Sequence, residues 1–174
     1  MRNIFLIIFY IALPALTSSF VHAQVERKTI QSPDKEIIAQ IVSTGNWEKP
    51  NSESRIEIKT SKGKLLCSNS YFSGDHQHGE RIYQVQWTPD SKFLVFNSVS
   101  SGGHQPGHFL TRFWKRDNNE MDVLDHYVGI WVTGNFKLNS PDSITVVVRD
   151  RLPSGEFVDT LVRTVCLSQL VYKK

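Results

Sequence analysis

Cysteine is scarce in this chain: Cys67 and Cys166 are the two in 174 residues. So few cannot form a disulfide framework, so apolar burial must hold the core together. Neither thiol has a histidine close in sequence or a helix start before it, which argues against a nucleophilic cysteine. Both sit in apolar, strand-like runs, KLLCSNSYF and LVRTVCLSQL. Two readings stay open for them: a Cys67–Cys166 disulfide, or two small hydrophobic side chains.

An excess of one charge is also lacking. The chain has 20 Lys and Arg against 17 Asp and Glu. They form no basic block, so nothing marks a nucleic-acid partner. The long hydrophobic run is confined to residues 4–16, preceded by the single cation Arg2 and followed by Val21-His22-Ala23. This is the layout of a secretory signal peptide, with cleavage expected after Ala23. The run is short for a bilayer span, and no second run of spanning length follows. Residues 1–23 are therefore read as a signal peptide, and residues 24–174 as a single periplasmic or secreted domain without a membrane span.

Catalytic signatures are missing as well. There is no G-x-S-x-G elbow, dinucleotide fingerprint, P-loop or H-E-x-x-H. Ser100 or Ser101 with His104 and Asp90 supplies the residue types of a triad. Asp75, Glu80, Asp122 and Asp125 supply carboxylates for a glycosidase pair. Neither set has a spacing that separates it from chance, and the chain is not expected to be an enzyme.

What is present is repetition. Ser32-Pro33-Asp34 leads into KEIIAQIV, Thr88-Pro89-Asp90 into SKFLVFNSV, and Ser140-Pro141-Asp142 into SITVVVRD. In each, proline presets φ for a turn, aspartate can bond the backbone two residues on, and a β-branched or aromatic run follows. Further strands are expected at residues 55–60, 64–70, 81–87, 109–115, 121–126, 131–138, 143–150 and 157–170. No stretch has the period of an amphipathic helix, so the chain reads as all-β with antiparallel hairpins.

The segment VQWTPDSKFLVFNS resembles the blade signature of TolB-like β-propellers, W-S-P-D-G-K followed by an apolar strand. IQSPDKEIIAQI is similar to a weaker copy. Ser91 stands where that signature has glycine, the first copy lacks tryptophan, and the third lacks both tryptophan and lysine. The rest of the chain is similar to small exported bacterial proteins, a likeness that brings no activity with it. The resemblance implies blade-like modules forming an open propeller fragment or a sandwich-like stack. Two modules and a partial third are fewer than the four blades with which propellers close. It also implies partner binding through loops on one sheet edge.

Two glycine-flanked loops carry the candidate site residues: SGDHQHGE, with Asp75, His76, His78 and Glu80, and SSGGHQPGH, with His104 and His108. If residues 81–87 and 92–98 form a hairpin, both loops emerge at the same sheet edge. His76, His78, His104 and His108 would then be candidate ligands for zinc, copper or nickel. The other reading is that they are surface side chains of architectural loops. Trp47, Asp75 and Glu80 are candidates for contacting an envelope protein, peptide or glycan. The expected function is a non-catalytic, cofactor-free binding module of the bacterial envelope. The alternative is a transition-metal-binding protein or metal-dependent hydrolase.

Overall fold

The computed structural model describes residues 25–45, 52–102, 109–129, 131–132, 134–151 and 154–170. Residues 1–23, the expected signal peptide, and Trp47, His104 and His108 lie outside the described residues. The described chain is almost wholly β, twelve strands in three four-stranded antiparallel sheets with no closed barrel. The first sheet is β1 (Val25–Gln31), β2 (Ile37–Thr44), β3 (Ser54–Thr60) and β4 (Leu65–Ser70), in that order. The second is β5 (Glu80–Trp87), β6 (Phe93–Ser100), β7 (Leu110–Lys115) and β8 (Glu120–Val123). In the third, β9 (Trp131–Val132) and β10 (Lys137–Asn139) pair with β11 (Ser143–Arg151), which also pairs with β12 (Phe157–Cys166).

The middle sheet is buried on both faces. Leu94 and Phe96 of β6 and Trp114 of β7 pack with Ile37, Ala39, Ile41, Ile56 and Ile58 of the first sheet. Their neighbours Phe93, Val95 and Phe113 face the other way, against Ile144, Val146 and Val148 of the third. A strand buried on both faces needs a continuous apolar run rather than alternation, and FLVF supplies one. Trp87 and Trp114 meet edge to face with centroids 6.0 Å apart, a favoured aromatic geometry.

The repeated tripeptides occupy equivalent places, each turning the chain between two neighbouring strands of its sheet. The first two are near-identical in bonding. Ser32 Oγ donates to Asp34 Oδ1 at 2.6 Å and accepts from the Ile37 N–H at 3.0 Å. Thr88 Oγ1 does the same with Asp90 Oδ1 at 2.6 Å and the Phe93 N–H at 3.0 Å. The fourth residue of each turn is left-handed, Lys35 at φ 64° and Ser91 at φ 62°. That explains the glycine of the blade signature, since only glycine takes this angle without cost. The third copy differs: its Ser140–Pro141 bond is cis, and Asp142 instead accepts from the backbone of Leu167 and Ser168.

Side chains also fasten sheet to sheet. Ser91 Oγ accepts from the Asp34 N–H at 3.1 Å, and Arg116 pairs with both Asp34 and Glu36. The Ser32 hydroxyl and the Arg116 guanidinium hold the Asp34 carboxyl down to about 2. On the other side, the Gln84 amide donates to the Phe136 carbonyl at 3.0 Å and accepts from the Phe136 N–H at 3.2 Å.

Three expectations need correction. The strand at 121–126 stops at Val123, and Asp125–Val128 forms one helical turn, α1. Leu124 and Val128, four apart, both enter the core there, and the Asp125 carboxylate takes the Thr111 and Val132 N–H groups. The strand at 131–138 is two short strands around Gly134, whose φ of 102° interrupts pairing. The run at 157–170 leaves the sheet after Cys166, where Asp142 draws the chain into the 3-10 turn Leu167–Gln169. The disulfide left open above is not formed. Cys67 and Cys166 are free, on the first and third sheets, with the middle sheet between them.

Replacing Lys35 with glycine removes a left-handed cost of about 1–2 kcal/mol per L-residue, set against a glycine entropy cost of about 0.5–1 kcal/mol. Lys35→Gly should therefore raise the unfolding temperature by about 2 °C. Ser91→Gly relieves the same angle but loses the bond to Asp34, and should give no gain. Thermal unfolding of the two variants beside the parent checks this, and equal gains would contradict the inter-sheet role of Ser91.

Candidate functional site

Because β5 and β6 are antiparallel neighbours with Glu80 opposite Ser100, the loops leaving them share one edge of the middle sheet. Direct bonds confirm the juxtaposition. Ser101 donates its N–H to the Gly79 carbonyl at 2.9 Å, and its hydroxyl lies 3.2 Å from the Gln77 carbonyl. The described part of the second loop thus rests on the first.

A residue with no motif around it organises this edge. Glu53, just before β3 in the first sheet, is fully buried and reaches under the loop of the second sheet. Its carboxylate accepts from the Ser73 N–H at 2.9 Å, the Gly79 N–H at 2.7 Å and the Ser73 hydroxyl at 2.5 Å. His76 Nδ1 stands 3.7 Å from it. Burial pushes the Glu53 carboxyl up, but Ser73, Gly79 and the His76 ring outweigh it and leave it below its ordinary value. A buried carboxylate is tolerated when it is bonded this fully. Gly79 is required for the approach: a Cβ there would lie 2.3 Å from the Tyr71 carbonyl oxygen and 2.6 Å from Glu53 Cδ.

Above this anchor the loop is tied by Asp75. Its Oδ1 lies 2.8 Å from the Ser73 hydroxyl, whose single proton it shares with Glu53, and accepts from the Gln77 N–H at 3.0 Å, and its Oδ2 pairs with His78 Nδ1. Those bonds, Ser73 first, hold the Asp75 carboxyl well below the usual range. His76 sits in the left-handed region at φ 56°, and its side chain is two-thirds exposed. His78 and Gln77 are exposed beside it. Glu80 serves the strand rather than the loop: Arg112 grips it with two bonds of 2.8 and 3.2 Å, and Ser98 donates to it at 2.5 Å. The Arg112 guanidinium stacks 4.5 Å from the Tyr71 ring centre.

Among the described residues, no group of three His, Cys, Asp or Glu side chains could hold a metal ion. The candidate triad does not assemble, because Asp90 lies in the turn before β6 and Ser101 beyond its far end. Among the carboxylates, Asp122 bonds Lys115 and Tyr127, and Asp125 bonds the backbone. Cys67 is half-buried, and burial pushes its thiol up, away from reactivity. Sequence reasoning missed Glu53 because an acid at a strand start has no local signature. Glu53 stands between two serines, Ser52 and Ser54, at the head of the strand pattern SRIEI, and nothing in that setting marks it as buried.

No protein-family model and no curated protein matches the chain. Among solved structures, it is similar to the acylaminoacyl peptidase of Pyrococcus horikoshii, with 12% identity and a TM-score of 0.38 over 68% of this chain and 16% of that one. It is also similar to a puromycin hydrolase, with 19% identity and a TM-score of 0.40 over 80% of this chain and 22% of that one. A mutant of that hydrolase complexed with PGG gives 18% identity and the same TM-score and coverage. The chain thus spans less than a quarter of each of these proteins, and likeness at this level assigns it no activity.

Glu53→Gln replaces an acceptor of several bonds with a group that must donate with half its polar atoms. It should destabilise the protein by about 2–3 kcal/mol at pH 7. The folded-state carboxyl lies below its unfolded value near 4.3, so its contribution is present above that pH and lost as pH falls through the folded value. Urea unfolding should therefore show a difference between parent and variant that is full at pH 6–7 and narrows below about pH 4. A difference independent of pH would refute the charged role.

Proposed function

We propose that the chain is an exported, non-catalytic binding module of the bacterial envelope, which contacts an envelope protein, peptide or glycan through the loop edge of its middle sheet. The supporting observation is the display of residues 76–78 on a densely hydrogen-bonded loop. His76, Gln77 and His78 stand in solvent on a loop whose backbone is bonded to the buried Glu53 and to Asp75. Preorganisation lowers the ordering cost of binding, which is how a small polar surface gains affinity. The left-handed angle at His76 is local strain held by its surroundings, a pattern associated with functional loops. Blade-like modules use such edges for recognition, and the signal-peptide-like segment supports export. The transition-metal reading rests on the same edge and requires His104 and His108 to join His76 and His78.

A photo-crosslinking side chain at position 77, tested in envelope-containing cells, should give a discrete adduct that the same group at position 62, in the exposed turn after β3, does not. His76→Ala with His78→Ala should abolish the adduct while the chain still unfolds in a single thermal transition. Identical adducts at both positions, or none at 77, would overturn the reading. A saturable rise in unfolding temperature with zinc, copper or nickel, lost in the double variant, would replace it with the metal-binding one.

A further inference from the structure

The opposite edge of the middle sheet carries a second recess, independent of the loop-edge reading. A cavity of about 270 Å³ opens where the turn before β6, the β7–β8 turn and the 3-10 turn of the third sheet meet. Its apolar lining is Phe93, Leu167 and Leu170, the first two almost fully buried. Its rim is polar and predominantly cationic: Lys92, Lys115 and Arg116, against the single carboxylate Asp117.

The three cations are not equivalent. Lys115 is paired with Asp122 at 3.2 Å, and Arg116 with Asp34 and Glu36. Those anions are not among the residues lining the recess, so they neutralise the two cations from outside it. Lys92 is exposed and makes no ion pair among the described residues. Its backbone is nonetheless fixed, because its carbonyl accepts from the Arg116 N–H at 3.0 Å and its N–H donates to Asp90 at 3.1 Å. A flexible ammonium on a fixed base therefore stands over an apolar floor.

We propose that this recess is a binding site for a short apolar chain ending in a free carboxylate, either an aliphatic acid or a peptide C terminus with an apolar last residue. The tail covers Phe93, Leu167 and Leu170, and the carboxylate pairs with Lys92. The cavity volume accommodates a tail of on the order of six to ten heavy atoms, near the small end of ligand pockets. Lys92 sets the sign of the ligand head group: a carboxylate pairs with it and an amine meets a like charge, while Lys115 and Arg116 are already neutralised from outside the recess.

The test is titration of the full chain with hexanoate, hexylamine and N-acetyl-Ala-Leu, followed by backbone amide resonances. Hexanoate or the peptide acid should give saturable shifts at residues 92, 116–118 and 167–170, and hexylamine should not. Lys92→Gln should weaken binding about tenfold, whereas Lys62→Gln, in an exposed turn of the first sheet, should leave it unchanged. Both lysines are exposed, so neither change threatens the fold. Tighter binding of the peptide acid than of hexanoate would assign a C terminus, and the reverse an aliphatic acid. Absence of saturable shifts, equal binding of hexylamine, or unaltered affinity in Lys92→Gln would each overturn the proposal.

Discussion

Two successive pairs of side chains on β6, Phe93 with Val95 and Leu94 with Phe96, point into different cores. Everything else is arranged around that division. A sheet with two apolar faces must be covered twice, and here the first sheet covers one face and the third the other. The outer sheets are correspondingly one-sided: β2 alternates buried and half-buried residues through Gln40, and β1 is exposed at every second residue. Removing either outer sheet would expose a run of aromatic and aliphatic side chains, so the three sheets depend on one another although each is built from local hairpins.

Burial alone leaves sheets free to slide, and polar side chains set their relative position. Ser91 and Arg116 tie the second turn to the first, Trp87 Nε1 donates to the Ile30 carbonyl, and Gln84 brackets the backbone of Phe136. Most of these bonds end on backbone groups, at Asp34, Ile30 and Phe136. They give those donors and acceptors partners while fixing the angle between layers. The repeated turn does two jobs: it reverses the chain within a sheet and offers a docking point to the next.

The same logic produces the loop edge. Glu53 belongs to the first sheet, yet the groups it holds, Ser73 and Gly79, lead into the second. Stacking the sheets is what brings a buried carboxylate beneath the loop. The packing that forms the core thus also shapes the surface on which His76, Gln77 and His78 stand.

How much of this can be read from the chain depends on how local each feature is. The all-β class, the repeated turns, and the hairpin that brings two loops to one edge all follow from short-range chemistry: proline and aspartate in turns, and β-branched runs after them. Of the strands that the chain pattern misplaced, 121–126 and 157–170 end where another part of the chain intervenes, Thr111 and Val132 at Asp125 and Asp142 at Leu167, and 131–138 breaks at the positive φ of Gly134. Asp75 and Glu80 were visible as carboxylates, but their partners decide their roles, and Glu80 meets Arg112 across 32 residues of chain. The sequence by itself determined the all-β class, the repeated turns and the strands that follow them, because those depend on neighbours along the chain. Which cysteine lies near which, which carboxylate is buried, and which histidines are exposed were decided by tertiary structure, because each depends on how the sheets stack.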